Sequence, residues 1–411
     1  MKILGVFPFY TPFLGGAERV YCSLITGLQM FDFDSVVYTS DVIQLSPYKR
    51  TIFRKEKSNG IQINRFIDFG GPMGFSILSW LVRCFSERNR SVPNFKLIKY
   101  LRSIIGYPLI PQLFLKMIKM RKSYDVIITG QVLWTTAHMS YSLSKIYGKP
   151  LIVIPNFHIG HVIFEHYSTI DMLCNSDAIL VYSNWEQREL TKRGIPVSKI
   201  KVMGPLYMPV NESVVKADSM ISKLKGIKFL FLGRREFDKG YYHFIESLNI
   251  CNDSNIHGII AGPPSPTKQT EQRKSIVEYK KKVLNESQKL TNKIIDLGTL
   301  SEERKLSVIK SCDVIVLPSR VESFGLVLLE AFNFGKPVIV SDVGPLPEIA
   351  RNSGICVPWG DPTNLAAEIK RIASNEELRN KLGYNGNKKL KQFDISNGLQ
   401  VVNRTLNEVI V

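Results

Sequence analysis

Several common kinds of site are missing from this sequence of 411 residues. The six cysteines are scattered, with no C-x-x-C pair and no histidine at metal-ligand spacing, so neither a zinc site nor a disulfide framework is indicated. No uninterrupted apolar run reaches the ~20 residues needed to span a bilayer. The glycine spacing G-x-G-x-x-G of dinucleotide-binding proteins is also absent. These absences predict a cytoplasmic protein with free thiols, no bound metal and no cofactor.

Acidic residues are in short supply. The chain has 54 Lys and Arg against 36 Asp and Glu, a formal net charge of +18. Residues 48–122 hold sixteen of these basic residues and only three acidic ones, so this segment carries +13 of the total. Such a segment binds polyanions, which leaves anionic lipid, nucleic acid or a charged substrate as partners.

The sequence alternates short apolar runs with amphipathic helical stretches, a pattern typical of parallel sheets covered by helices on both faces. The length favours two domains. We predict domains over residues 1–205, completed by a returning helix at 394–411, and over 206–393. The predicted strands are 2–7, 35–38, 126–129, 151–154 and 178–182 in the first domain, and 229–232, 258–261, 294–297, 314–317 and 337–340 in the second.

The strongest motif follows the strand 314–317, where residues 318–330 turn sharply into a helix. The free N–H groups at the start of that helix, near Phe324 to Leu326, suit a phosphate. Glu322 and Glu330 would flank the phosphates and accept hydrogen bonds from a sugar and a ribose. The alternative is structural, with Glu322 capping the helix and Glu330 solvated.

A second motif follows the strand 229–232, at the sheet edge where open α/β folds bind ligands. Arg234 offers a planar fork and Lys239 a point charge, which together suit a diphosphate. Surface ion pairing is the alternative. We expect Arg235 to face solvent.

A third motif, the paired glycines Gly15 and Gly16, follows the first strand and opens a helix, so the backbone there can approach a ligand closely. Together the three segments resemble the retaining glycosyltransferases of family 4. The E-x7-E element is matched by Glu322 and Glu330. The glycine, arginine and lysine element is matched by Gly233, Arg234, Lys239 and Gly240.

The resemblance implies a glycosyltransferase-B fold, with two Rossmann-like domains facing each other across a cleft. It also implies that a sugar is transferred from a nucleoside diphosphate with retention, the departing phosphate oxygen deprotonating the acceptor. His158 matches a histidine near the transferred sugar, and Leu297 and Gly298 match base contacts. The predicted donor site comprises Gly15, Gly16, Gly233, Arg234, Lys239, Leu297, Gly298, Glu322, Ser323, Phe324, Gly325, Leu326 and Glu330; the residues predicted to be catalytic are His158, Glu322, Arg234 and Lys239.

The predicted reaction is therefore metal-independent transfer of a hexosyl group from a UDP- or GDP-sugar to a hydroxyl acceptor, in glycan or glycolipid biosynthesis. Residues 74–122 mix apolar helical stripes with cations, which predicts a peripheral contact with the cytoplasmic face of an anionic membrane and a lipid-linked acceptor. The alternative is that these stripes pack on the first sheet. Other functions left open are a nucleotide-sugar epimerase, a phosphorylase and, from its charge, a nucleic-acid-binding protein.

Overall fold

The computed structural model describes residues 1–12, 15–45, 48–71, 107–158, 164–264, 277–279, 281, 283 and 294–410. The chain divides into two compact units, unit 1 over Met1–Tyr207 with Ile395–Val411, and unit 2 over Met208–Asp394. The predicted domains end two residues earlier at the first crossing, at 205, and one residue earlier at the second, at 393.

The described strands of unit 1 form one large sheet and a small hairpin. They are β1 Lys2–Val6, β2 Asp34–Ser40, β3 Val42–Leu45, β4 Tyr48–Arg50, β5 Lys55–Ser58, β6 Ile61–Phe66, β7 Val126–Gly130, β8 Leu151–Ile154, β9 Ala178–Val181 and β10 Ile200–Val202. The large sheet has the order β10-β9-β8-β7-β1-β2-β6-β5, in which only β5 runs antiparallel to its neighbour, and β3 pairs with β4.

The described helices of unit 1 cover this sheet. They are α1 Gly16–Gly27, α2 Pro111–Lys119, α3 Thr135–Tyr147, α4 Tyr167–Asn175, α5 Asn184–Lys192 and, from the end of the chain, Ile395–Ile410. The last helix buries Leu399, Val402 and Leu406, a spacing of three and four residues that gives one apolar stripe. It packs against β9, β10 and α1, so the predicted return of the C-terminal helix to the first domain is confirmed.

Unit 2 contains one parallel sheet of order β13-β12-β11-β14-β15-β16. Its strands are β11 Ile227–Leu232, β12 Ile256–Ala261, β13 Ile294–Asp296, β14 Val314–Leu317, β15 Val338–Ser341 and β16 Gly354–Val357. Numbered along unit 2, this order is 3-2-1-4-5-6, as in dinucleotide-binding sheets. The described helices are α6 Ser219–Ser222, α7 Tyr241–Cys251, α8 Glu302–Ser311, α9 Leu326–Asn333, α10 Leu346–Ala350, α11 Pro362–Ser374 and α12 Glu376–Leu390; the returning helix of unit 1 is α13.

The central strands form because their side chains are buried on both faces. Val314, Ile315 and Val316 are fully buried, and β-branched residues pack well on a pleated surface. All ten predicted strands are confirmed within a few residues. The hairpin strands β3 and β4 and the strands β5, β6, β10 and β16 were not predicted, because several are short, lie at sheet edges or alternate with charged residues.

Candidate functional site

The strand order of unit 2 identifies where its ligand site is expected. The chain leaves β11 toward β12 on one side, whereas β14 lies on the other side of β11. In open α/β sheets, ligands bind at the carboxyl ends of the strands at this switch in direction. The loops that follow β11 and β14 are the two motifs singled out from the sequence, so topology and motif indicate the same edge.

A charged hydrogen bond joins these two loops. Lys239 Nζ donates to Glu322 Oε1 at 2.7 Å and to the Val321 carbonyl at 3.1 Å. Ser319 Oγ donates to the same Glu322 oxygen at 3.0 Å. Both charged side chains are mostly buried, so this pair is screened less than a surface ion pair. The structure thus brings together Lys239 and Glu322, which the sequence placed in separate motifs.

Glycine at position 240 allows these loops to meet. Gly240 has φ +73°, and a Cβ atom built there would lie 2.0 Å from the Pro318 carbonyl oxygen. No side chain fits that contact, and the left-handed conformation adds a further cost for other residues. The backbone of one motif therefore packs directly on the backbone of the other.

The predicted phosphate-binding turn ends where α9 begins. Gly325 is the N-cap of α9 and has a left-handed backbone conformation, with φ +92°. Phe324 is buried and packs edge-on against Phe393, at 5.5 Å between ring centroids. Ser323 and Leu326 are half-buried on either side of this anchored pair. The first N–H groups of a helix carry its positive end, so the turn is suited to an anion.

Glu330 has a partner that the sequence did not reveal. It is buried within α9 and forms an ion pair with Lys305 from α8, which also contacts Glu302. A buried carboxylate needs such a partner, because desolvation of an unpaired charge costs several kcal/mol. Lys305 lies on an ordinary amphipathic helix, so only the packing of α8 beside α9 identifies it.

The two neighbouring arginines behave differently from each other. The Arg234 side chain pairs with Glu236 at 2.9 Å and is still 47% exposed, so part of it remains accessible to a ligand. The prediction that Arg235 faces solvent is wrong. Its side chain is only 22% exposed, since it donates to Asp296 at 2.7 Å and to the Gly262 carbonyl at 3.0 Å. Arg235 therefore ties the loop after β11 to the ends of β12 and β13.

The predicted base contacts, Leu297 and Gly298, follow β13 directly. The Leu297 N–H donates to the Ile260 carbonyl at 2.8 Å, and the Gly298 N–H donates to Asp296 Oδ1 at 2.9 Å. Both amide donors are therefore used within unit 2. The backbone carbonyls are the groups left to contact a base, and they accept from N–H donors. The Gly298 carbonyl already accepts one such bond, from Gly262 N.

Unit 1 has its own switch in strand direction, between β1 and β7. Gly15 and Gly16 begin α1 after β1, and Gln131 follows β7 with a left-handed φ of +56°. Gln131 Nε2 donates to Glu18 Oε1 at 2.9 Å, so the two loops are again joined by side chains. A Cβ atom at Gly15 would lie 1.9 Å from Glu18 Oε2, so the close approach at this glycine is to the chain's own carboxylate.

Burial raises the pKa of Glu18 to about 7. Glu186, on α5, is also fully buried, and burial raises its pKa to about 7. Glu186 accepts from the Phe157 and Tyr182 backbone N–H groups, each at 3.0 Å. The sequence analysis did not identify either glutamate, because their burial depends on the tertiary structure.

A buried asparagine follows β8. Asn156 has a left-handed φ of +52°, and its Oδ1 accepts from the hydroxyls of Tyr21 at 2.8 Å and Tyr182 at 3.3 Å. Left-handed backbone at two strand ends, Gln131 and Asn156, is a feature that clusters at functional sites. His158 lies two residues further on, half-buried, with its ring 5.6 Å from that of Phe164. The sequence analysis singled out only His158 here.

The predicted membrane segment, residues 74–122, is described only from residue 107 onward. Its described helix, α2, buries Leu113 and Met117 in the core of unit 1, so in this part the apolar side packs on the protein. Over the described ranges, no helix combines the length and apolar character required to cross a membrane. Within the same ranges, no group of three or more His, Cys, Asp or Glu side chains is arranged to hold a metal ion.

Comparison with known proteins shows that most of unit 2 is similar to glycosyltransferases. Residues 217–389 match the family model for glycosyl transferases group 1. An uncharacterized glycosyltransferase of Methanocaldococcus jannaschii, MJ1607, is 32% identical over 162 residues, 39% of this chain and 39% of its own length. A D-inositol 3-phosphate glycosyltransferase of Corynebacterium diphtheriae is 26% identical over 211 residues, 51% of this chain and 45% of its own length. The matched segments thus span less than half of either relative.

Solved structures extend the similarity to the whole fold. The crystal structure of Anabaena HepE in complex with UDP and glucose superposes with a TM-score of 0.70 at 19% identity, covering 99% of this chain and 100% of that one. The predicted resemblance to glycosyltransferases and the predicted glycosyltransferase-B fold are thereby confirmed.

Proposed function

Because residues 217–389 form a glycosyl transferases group 1 domain, we propose that this chain is a glycosyltransferase acting on a nucleoside diphosphate sugar. In this proposal, unit 2 binds the donor and unit 1 binds a hydroxyl acceptor. The reaction is retaining, needs no metal ion and no cofactor, and transfers a hexosyl group. The product belongs to glycan or glycolipid biosynthesis.

The observation that carries the proposal is the bond between Lys239 and Glu322. The Lys239 ammonium has three N–H donors, and its bonds to Glu322 and Val321 use two of them. The third is free to donate to a phosphate oxygen. Glu322 receives both described bonds on Oε1, which leaves Oε2 to accept from a sugar hydroxyl. One ion pair can therefore contact both parts of a sugar diphosphate.

The leaving group is the reason for this arrangement. As the bond from the anomeric carbon to the phosphate oxygen breaks, negative charge grows on the diphosphate. Arg234, Lys239 and the first N–H groups of α9 stabilise that charge, the role that a metal ion has in other enzymes. The acceptor hydroxyl forms the new bond on the same face of the sugar and passes its proton to the departing phosphate oxygen.

The nucleoside would occupy the remaining predicted positions. Glu330 binds the ribose hydroxyls, with Lys305 orienting its carboxylate through their ion pair. The Leu297 and Gly298 carbonyls accept from an N–H group of the base. Because HepE was crystallised with UDP and glucose, a UDP-sugar is the first donor to test. Gly15 and Gly16 remain predicted donor-binding residues, and His158 remains a predicted catalytic residue.

Calorimetric titration of the whole chain with UDP, GDP, ADP and CMP, each with EDTA or magnesium, tests the donor site. We expect one nucleoside diphosphate to bind selectively and equally well in both buffers. Lys239→Ala and Glu330→Gln should each weaken it by about tenfold or more, since a hydrogen bond to a charged group contributes about 1.5 to 3 kcal/mol. Lys310→Ala is the matched control, because Lys310 donates only to the Glu212 and Val215 carbonyls.

Product analysis with the matching labelled UDP- or GDP-sugar tests the reaction. Transfer of label to an acceptor in EDTA, with retained anomeric configuration, supports the proposal. Inverted product, or activity that EDTA abolishes, contradicts the proposed mechanism. An isomerised donor sugar indicates an epimerase, and formation of a sugar phosphate from a glycan and phosphate indicates a phosphorylase.

A further inference from the structure

Two large apolar side chains stand out from a basic loop of unit 1. Residues 49–55, here called the 49–55 loop, run from the end of β4 to the start of β5. Within it, Ile52 is 85% exposed and Phe53 is 61% exposed. Both neighbours on each side along the chain are polar or cationic, and Lys49 and Lys55 at its two ends are exposed. Exposed pairs of this size indicate an interaction site more often than isolated ones do.

The exposure of Ile52 and Phe53 is built into the fold. Asp41, which is fully buried, accepts from Arg50 Nε at 2.7 Å and from Arg54 Nη1 at 2.6 Å. The Thr51 N–H donates to the Asp41 carbonyl at 2.9 Å. One buried residue thus fixes the loop on both sides of its apolar pair. Ile52 and Phe53 are held outward by this anchor.

A third exposed apolar residue lies beside the same anchor. Phe69 follows Asp68, which accepts from the hydroxyl of Tyr48 at 2.8 Å. The Asp68 N–H in turn donates to Asp41 Oδ1 at 3.0 Å. The hairpin strand that leads into the loop and the segment that carries Phe69 are therefore tied to one pair of aspartates.

The positive charge of this region indicates which kind of partner it can bind. Residues 48–58 hold five Lys or Arg residues and one acidic residue, Glu56, which pairs with Arg65. Arg50 and Arg54 pair with Asp41, whereas Lys49, Lys55 and Lys57 are exposed. An aliphatic side chain gains nothing from a nucleic acid phosphate, whereas it gains from transfer below lipid headgroups. Cations around such a side chain are attracted to the negative surface of an acidic membrane. The exposed apolar pair and the cations around it together suit the surface of an anionic bilayer.

We propose that the 49–55 loop docks unit 1 on an anionic lipid membrane, with Ile52 and Phe53 inserted among the lipids and the surrounding cations on the headgroups. This surface is distinct from the helical stripes predicted within residues 74–122. The inference deepens the proposed function, on which it rests for its purpose: a docked unit 1 meets an acceptor held in the membrane.

Vesicle flotation of the whole chain, without donor or acceptor, tests the docking alone. We expect binding to vesicles of phosphatidylglycerol and phosphatidylcholine, and little binding to phosphatidylcholine alone. Ile52→Ser with Phe53→Ser should lower the partition coefficient by about tenfold or more, through lost apolar burial. Lys49→Gln with Lys55→Gln should lower it by about fivefold for each lysine, an effect that disappears at high salt.

The matched control removes two exposed apolar side chains of unit 1 elsewhere, Met30, 77% exposed, and Val197, 57% exposed. Met30→Ser with Val197→Ser should bind vesicles as the wild type does, and unchanged thermal melting checks that every variant folds. Equal binding by the Ile52 and Phe53 variant overturns the proposal. A wild-type protein that does not bind anionic vesicles also overturns the proposal, including one that forms dimers or binds RNA through this loop. None of these outcomes bears on glycosyl transfer, which the product assay measures separately.

Discussion

The two units have the same kind of switch in strand direction, but the side chains that meet there differ in charge. In each, the segments on either side of the switch in strand direction are joined by a hydrogen bond between side chains, at 2.9 Å from Gln131 to Glu18 in unit 1 and at 2.7 Å from Lys239 to Glu322 in unit 2. The first bond joins an amide to a buried carboxyl group whose pKa is raised to about 7. The second joins an ammonium to a carboxylate beside a helix N-terminus.

The difference indicates what each edge can bind. In unit 2, Lys239 and the partly exposed Arg234 present positive charge, which a diphosphate requires. In unit 1, the groups at the strand ends include the Gln131 and Asn156 amides and the Tyr182 hydroxyl, beside the buried Glu18 carboxyl group whose pKa is raised. Such groups suit neutral hydroxyl groups. In the proposed function, unit 2 thus takes the charged donor and unit 1 takes a neutral acceptor.

The largest expected effect comes from removing the Lys239 ammonium group of unit 2. Lys239→Ala should lower kcat/KM by about 100- to 1000-fold, the range found when one preorganised donor to a developing negative charge is lost. Gln131→Ala in unit 1 should cost less, about tenfold, because a neutral donor is removed. Steady-state kinetics with donor and acceptor varied separately measures both. If the glutamine variant is the more damaged, the assignment of charge to unit 2 and neutrality to unit 1 is wrong.

The next effect tests the backbone contact that joins the loops of unit 2. Gly240→Ala should lower the free energy of unfolding by about 3 kcal/mol, since it adds a clash with the Pro318 carbonyl to the cost of positive φ. Gly335→Ala is matched, because Gly335 has φ +61° and nothing within 4 Å of its added Cβ. It should cost only about 1 kcal/mol. Urea unfolding compares the two, and equal losses would mean that the contact with Pro318 is unimportant.

The two buried glutamates of unit 1 give a pH-dependent effect. Burial raises the pKa of Glu18 and Glu186 to about 7 in the folded protein, whereas the ordinary pKa of a glutamate side chain is 4.5. The free energy of unfolding is therefore highest below pH 4.5 for these groups and falls as the pH rises to about 7. The fall should be at most about 3 kcal/mol for each carboxyl group, because one pKa unit corresponds to about 1.4 kcal/mol.

Amide variants separate the two glutamates. Glu18→Gln keeps an oxygen to accept from Gln131, so it should reduce the pH dependence and leave stability at pH 8 equal or higher. Glu186→Gln places an NH₂ group against one of two backbone donors, from Phe157 or Tyr182, and should destabilise at every pH. Chemical unfolding from pH 4 to pH 8 gives both curves. A Glu18→Gln variant as pH-dependent as the wild type contradicts the assignment.

The smallest effect concerns Arg235, which supports unit 2 without a predicted ligand contact. Arg235→Ala removes the bonds to Asp296 and the Gly262 carbonyl and should weaken nucleotide binding by about fivefold, or about 1 kcal/mol. Calorimetric titration with the selected nucleotide measures it. A loss as large as that of Lys239→Ala would mean that Arg235 contacts the phosphates directly.

Prediction from sequence succeeded where the signal is local. The strand at 314–317 is an unbroken apolar run, and the E-x7-E spacing places Glu322 before the helix and Glu330 within it, as observed. It failed where burial depends on distant segments. Arg235 was predicted to face solvent, but it pairs with Asp296 at the end of β13. The pairing of Lys305 with Glu330 was not predicted, because no sequence pattern indicates it. Edge strands such as β16, half exposed, also lacked a distinct pattern.

By itself, the amino-acid sequence determined the two-unit α/β architecture and the order of the ligand-binding motifs, because hydrophobic periodicity and turn residues act over a few positions. It also determined the excess of positive charge. Only the tertiary structure decided which charges meet and which side chains remain outside. The Lys239 contact with Glu322 and the buried Glu18 with its Gln131 partner join segments far apart in the chain, and such contacts exist only after the sheets have formed. The outward pair Ile52 and Phe53 depends on the burial of Asp41, which also requires the folded sheet.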